Sequence, residues 1–240
     1  MAGERGYSPL MAAPSVEMVD VLLVAGADIE QMDNYERTAL IMAAQSGHAD
    51  VVSRLILAGA DIAHTTAGGR DALMYAANNG NVDVVNRLLE AGADIAHTMV
   101  DGKDALMLVA EFDLADVVSR LILAGADVGR TTVDGRDALM FAAKGGHVDV
   151  VSRLILAGAN IARTTRDGET ALMMAAICGR VDVVHKLIEA GADVAQPTRD
   201  GRTALLFVEN ALASTSLDPQ YRVDLLAVKE ALTQLHNRSK

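Results

Sequence analysis

The sequence predicts an all-α solenoid of stacked helix-turn-helix units with projecting β-hairpin loops. The first observation behind this is a fixed step of 33 residues. It separates Gly59, Gly92, Gly125, Gly158 and Gly191, each of which opens a Gly-Ala pair. Leu40, Leu73, Leu106, Leu139, Leu172 and Leu205 follow the same step. A period of this length marks supersecondary units that bury their apolar faces on one another. The second observation is the theme between those landmarks, D-A-L-M-Y-A-A-N-N-G-N-V-D-V-V-N-R-L-L-E-A-G-A-D-I over residues 71–95. The third is a composition that is 51% apolar and only 3% aromatic, which suits closely stacked short helices.

The block at 66–98 shows the logic of one unit. Asp71 precedes A-L-M-Y-A-A, where its carboxylate can accept backbone N–H groups and complement the helix dipole. Thr38, Thr170 and Thr203 fill the same place elsewhere. Gly80 ends this first helix, where a left-handed residue is often needed. The second helix, V-D-V-V-N-R-L-L-E-A, runs to Gly92. The Asp-Gly pair that follows reads as a tight hairpin turn. It recurs at Asp134-Gly135, Asp167-Gly168 and Asp200-Gly201, with Gly68-Gly69 once in its place. Asp50 and Arg54, Asp83 and Arg87, Asp116 and Arg120, Asp149 and Arg153, and Asp182 and Lys186 are spaced to brace the second helices as i, i+4 ion pairs.

In chain order, residues 1–32 are a degenerate N-terminal capping repeat within a single repeat domain spanning 1–240. Its Leu10-to-Gly26 interval is short, and Pro14 sits in its first helix. Full repeats are expected at 33–65, 66–98, 99–131, 132–164 and 165–197. Residues 198–240 are a C-terminal repeat and capping helix. The pattern is lost at Glu209, Ser214–Pro219 is a polar break, and 220–235 is an amphipathic closing helix, with a partner-binding helix as the other reading. The repeat at 99–131 is irregular, reading V-A-E-F-D where neighbours read A-A-N-N-G and A-A-K-G-G. There Asp113 is expected to take a left-handed conformation. Phe112 is either an exposed anchor or the filler of a packing gap.

The motifs S-P-L-M at Ser8–Met11, T-A-L-I at Thr38–Ile41, D-A-L-M three times and T-A-L-M at Thr170–Met173, with the Gly47-His48 and Gly146-His147 steps, resemble the ankyrin repeat family over nearly the whole chain. The resemblance implies L-shaped units whose hairpin tips and first helices line a concave groove that binds protein partners. The family's motif histidine is replaced by Met11, Met74, Met107, Met140 and Met173, so thioether packing is expected there.

Residues that vary between near-identical repeats are the candidates for function. The hairpin residue before each helix cap is Arg37, Arg70, Lys103, Arg136, Glu169 or Arg202, and Arg166 and Arg199 add to this row. Such a ladder suits an acidic or phosphorylated segment of a protein partner. The alternative is local neutralisation by Asp101, Asp134, Asp167 and Asp200. Beside the ladder, the resemblance places Tyr35, Gln45, Asn78, Asn79, Glu111, Phe112, Lys144 and Ile177 on the groove face.

A net charge of −11 counts against a nucleic-acid partner. No apolar run is long enough for a membrane span. Residues 1–10 show no secretory signal, and the single Cys178 allows no intramolecular disulfide, so a cytoplasmic protein is expected, with the nucleus not separable by composition. His48 and His147 belong to the repeat, and His64 and His97 read as surface polar residues. No zinc spacing, phosphate-binding loop or catalytic thiol context appears, so no metal, cofactor or catalytic residue is assigned. The sequence thus predicts a non-catalytic protein-protein interaction module, with two capped ends favouring a monomer. The alternative is a regulatory or targeting subunit of an enzyme whose catalytic part lies on another chain.

Overall fold

Each first helix of a repeat begins where a Thr or Asp accepts the backbone N–H three residues ahead. Thr38 Oγ1 takes Ile41 N at 3.4 Å, Asp71 Oδ1 takes Met74 N at 2.8 Å, and Asp104 and Asp137 take Met107 N and Met140 N at 2.9 Å. Thr170 and Thr203 complete the series. Such a cap contributes about 1 kcal/mol against Ala.

The computed structural model describes residues 6–214 and 216–236. The first five residues of the expected N-terminal cap, Thr215 of the polar break, residues 237–240 and the side chains of 235 and 236 lie outside the described residues. A 3-10 turn at Leu10–Ala12 precedes α1 (Val16–Val24), α2 (Ala39–Ser46), α3 (Ala49–Leu57), α4 (Ala72–Asn78), α5 (Val82–Glu90), α6 (Ala105–Ala110) and α7 (Ala115–Leu123). Then come α8 (Ala138–Gly145), α9 (Val148–Leu156), α10 (Ala171–Ile177), α11 (Val181–Glu189), α12 (Ala204–Leu212) and α13 (Pro219–His236). The chain divides into two compact units, one of Met1–Val109 with Asp116–Ala126, the other of Ala110–Ala115 with Asp127–Lys240. In the first, α4 packs on α2, α3 on α1 and α5 on α3. In the second, α10 lies between α8 and α12, α11 packs on α9, and α13 closes over α11 and α12. Among the described residues no helix is long and apolar enough to cross a membrane.

The core follows the period. The Leu and Met of each L-M pair are buried, Met74, Met107 and Met140 almost completely. So are the valine pairs and leucine of the second helices, such as Val84, Val85 and Leu88. In α13 the buried side are Leu225, Val228, Ala231 and Leu232, at the spacing of one helical face.

In three repeats the residue before the second helix reaches back one repeat to the end of a first helix, whose last carbonyls lack intrahelical donors. Asn81 Nδ2 donates to Ala44 O at 2.9 Å and to Gln45 O at 3.1 Å. His147 Nε2 lies 3.0 Å from Glu111 O, and Arg180 Nε donates to Lys144 O at 3.2 Å. On α13, the Tyr221 hydroxyl donates to Ile177 O. Leu114 holds this place in the irregular repeat and carries no donor.

Three expectations are corrected. The projecting hairpins contain no strand among the described residues. Each is a turn closed within five residues, as by Thr66 N to Arg70 O (3.0 Å) and Gly69 N to Thr66 O (2.7 Å), too short for a ladder. Successive turns are linked instead, Arg166 N to Asp134 O at 3.0 Å and Arg199 N to Asp167 O at 3.1 Å. Gly168 has φ +87°, and a Cβ there would sit 2.8 Å from Arg199 N, so both conformation and space demand glycine. Asp113 is not left-handed, because α6 already ends at Ala110 and the following residues turn into α7 without that conformation. Among the described residues Glu36 is the left-handed non-glycine residue, φ +60°, at the hairpin place where Gly69 stands one repeat later. Finally, Arg54 Nε lies 2.5 Å from Asp20 rather than pairing with Asp50, so it ties α3 to α1.

Burial pushes the Asp71 carboxyl above the ordinary aspartate range, against the Met74 N–H and nearby His97 that pull it down. Asp137 is raised in the same way, against the Met140 N–H and Arg163. The native chain therefore holds these protons more tightly than the unfolded chain, and stability falls as pH rises through that window. Asp71→Thr keeps the cap and removes the charge. Its urea midpoint relative to the parent is expected to be higher at about pH 7, with the advantage shrinking below about pH 4. A difference that does not vary with pH would refute the assigned cost.

Candidate functional site

Hairpins and first-helix ends carry the variable residues, and the two units hold them differently. In the first unit Arg37 is largely enclosed. Its Nε and Nη2 donate to Asp33 Oδ2 at 2.9 and 2.7 Å, and Nη2 also reaches the Tyr7 hydroxyl at 2.7 Å. The guanidinium lies 5.1 Å from the Tyr35 ring centre and 5.6 Å from that of Tyr7. Burial alone raises the Asp33 carboxyl, but the Arg37 guanidinium and the N–H groups of Arg37 and Tyr35 carry it below the ordinary range. Tyr35 is 62% exposed. Arg70 lies over Tyr75 at 6.0 Å. Asn78 is half-buried, and Asn79 is exposed with its amide turned back on Tyr75 O at 2.8 Å. Lys103 is half-buried, its backbone N–H held by Asp101 Oδ1 at 3.1 Å.

His64 and His97, which the sequence marks only as surface polar residues, lace these hairpins together. Their Nε2 atoms lie 2.7 Å from Glu36 O and 2.8 Å from Gly69 O. The available signal is that both occur one period apart, with Arg130 and Arg163 continuing the register. Arg163 reaches back in kind, Nε 3.2 Å from Asp137 Oδ2.

In the second unit two arginines of the row are held by acids of their own turns. Arg136 Nε is 3.1 Å from Asp134 Oδ2, and Arg202 Nε is 2.6 Å from Asp200 Oδ2. The Thr132 hydroxyl, then the Arg136 charge, lowers Asp134 below the usual carboxylate range; the Thr198 hydroxyl and Arg202 do the same for Asp200. Arg202 also lies 4.5 Å over the Phe207 ring. Arg166, Arg199 and Lys144 are exposed, and among the described residues their side chains form no ion pair. Glu111 and Phe112 are exposed as well, Phe112 by 48%.

The second unit also contains a cleft of about 170 Å³ that sequence reasoning did not foresee. Arg136, Lys144, Glu169, Met173, Met174, Ile177, Cys178 and Phe207 line it. α8 supplies Lys144, α10 and its end supply the methionines, Ile177 and Cys178, α12 supplies Phe207, and the turns supply Arg136 and Glu169. It joins three of the expected site residues to five that were not so assigned. The hairpin acid Glu169 was visible in the sequence as the exception in a basic row.

The family described as ankyrin repeats (3 copies) matches residues 4–99 and 106–198. The search for curated relatives found no match. Among solved structures, the chain is similar to the human ASB11 ankyrin repeat domain, with 22% identity over 92% of this chain and 98% of that one and a TM-score of 0.78. It is also similar to the ankyrin repeat domain of Bcl-3, described as a unique member of the IkappaB protein family, with 24% identity, 93% and 99% coverage and a TM-score of 0.74. At these identities the two structures establish the fold.

The arginines are expected to separate by function. Arg37→Met leaves the fully buried Asp33 carboxylate without its cation and should cost about 3 kcal/mol. Arg166→Met should stay within about 0.5 kcal/mol. Urea unfolding of both variants measures the contrast, and equal losses would contradict it.

Proposed function

Because the chain belongs to the ankyrin repeat family, we propose that it is a non-catalytic module that binds a protein partner through the first helices and hairpin turns of its second unit. Ankyrin repeat domains are generally protein-protein interaction modules. The observation that carries the reading is how charge and apolar surface are distributed on that face. Arg136 and Arg202 are held by Asp134 and Asp200, whereas Lys144 stands exposed at an apolar-floored cleft and Arg166 and Arg199 are exposed on the hairpin turns of the same unit. Phe112 and Ile177 add exposed apolar surface of the kind that anchors interfaces.

The binding mechanism is preorganisation. Backbone bonds link the hairpin turns, and Arg180 and Tyr221 fix the ends of α8 and α10 that bear Lys144 and Ile177. Little ordering entropy then opposes association. The exposed cations favour a partner segment with acidic residues and speed its encounter, an effect that weakens with salt.

Selection from a displayed library of protein-derived peptides tests the proposal. Selected peptides should bind the parent and lose at least about tenfold in affinity to the folded triple variant Lys144→Glu, Arg166→Glu, Arg199→Glu, with Phe112→Ala as a separate probe. Equal binding to all variants would remove this face from consideration.

A further inference from the structure

The repeat at 165–197 departs from its sisters at two places, and both departures line the same cleft. Where Arg37, Arg70, Lys103, Arg136 and Arg202 are basic, it has Glu169. Where Gln45, Asn78, Glu111, Lys144 and Asn210 are polar, it has Ile177. Neither departure serves the scaffold. Ile177 is 41% exposed, and among the described residues the Glu169 carboxylate forms no ion pair. Met173, Met174 and Phe207, all buried or nearly so, form the apolar floor beside them.

Size and charge restrict the occupant. At about 170 Å³ the cleft is below the roughly 300–1,000 Å³ of small-molecule and cofactor sites, and suits a single anchoring side chain. Unbranched thioethers adapt to that side chain's shape. With Arg136 and Arg202 paired to their own acids, Lys144 and Glu169 are left at the cleft as two uncommitted charges of opposite sign. A segment of uniform charge would meet one of them repulsively, and such mismatches are a main source of selectivity.

We propose that this cleft is a selectivity pocket for one apolar side chain of a partner segment, flanked by an acidic residue that pairs with Lys144 and a basic residue that pairs with Glu169. This rests on the protein-binding reading above and adds the chemistry of the segment. It narrows the expectation of a simply acidic or phosphorylated partner, since Glu169 disfavours continuous negative charge at this point.

The test uses the full chain carrying methyl-¹³C methionine, with short blocked peptides centred on Leu. Two carry mixed charge, Glu-Leu-Lys and Lys-Leu-Glu; two carry uniform charge, Glu-Leu-Glu and Lys-Leu-Lys. At least one mixed peptide should shift the Met173 and Met174 methyl signals while leaving Met74 unmoved, and should bind at least about tenfold more tightly than either uniform peptide. Replacing its Leu with Ala should abolish the shift. In Glu169→Lys the preference should pass to Glu-Leu-Glu. Ile177→Ser, an exposed change with little bearing on folding, should weaken all four. Binding indifferent to charge, or Met173 and Met174 unmoved at millimolar peptide, overturns the assignment. Display-selected peptides that still bind elsewhere on the face would then leave the broader protein-binding reading intact.

Discussion

Every helix from α2 to α12 has nine residues or fewer. Isolated helices below about 12–15 residues are marginal in water, so none of these stands alone. The architecture follows from that shortage of length. Each first helix is capped at its start by its own Thr or Asp and, in the clasped repeats, finished by a donor from further along the chain. Asn81, His147 and Arg180 supply that donor, each from the repeat that follows the helix it finishes. Ordering one repeat thus completes the hydrogen bonding of the one before it, and stability accrues as nearest-neighbour increments within each stacked unit.

The same economy governs charge. A chain of net charge −11 with a recurrent row of hairpin bases looks, in sequence, like a cationic stripe on an acidic body. In the structure the acid of the turn restrains the base for Arg136 and Arg202, and buried Asp33 does so for Arg37. Those arginines rigidify their turns. Lys144, Arg166 and Arg199 of the second unit stay exposed and, among the described residues, form no ion pair. Position in the repeat is therefore a poor guide to role, and the local partner decides it.

Much of this is legible in the sequence. The 33-residue step gave the helix pairs, the Thr and Asp caps were readable from their places before apolar runs, and the methionine stripe was correctly read as core. What escaped was anything that depends on one repeat meeting the next. Arg54 is four residues from Asp50 and thirty-four from Asp20, and both spacings bring opposite charges together in a stacked array; only the packing of α3 on α1 chooses between them. His64 and His97 carried a periodic signal whose meaning, a bond to the preceding hairpin, required the stacking distance. Glu169 and Ile177 are each legible as a departure from their repeat position, but their shared cleft lies between helices whose spacing no one-dimensional pattern contains. Asp113 was misread because the turn glycine was assumed to need a like-for-like conformational substitute, whereas the shortened α6 removed the need.

Tyr221 has a further consequence. By the repeat step, the donor that finishes α10 would come from position 213, an alanine. An insertion delivers a tyrosine from α13 to the same carbonyl, at Ile177. The closing helix thus meets the array through the same contact an additional repeat would make. A single hydroxyl on α13 therefore does for α10 what the side chain before a second helix does for α2 and α8, so a helix outside the repeat pattern is docked by the repeat's own bond. The identical R-L-I-L-A-G-A at 54–60, 120–126 and 153–159 shows how closely the units before it repeat one another, whereas α13 shares with them only this point of attachment.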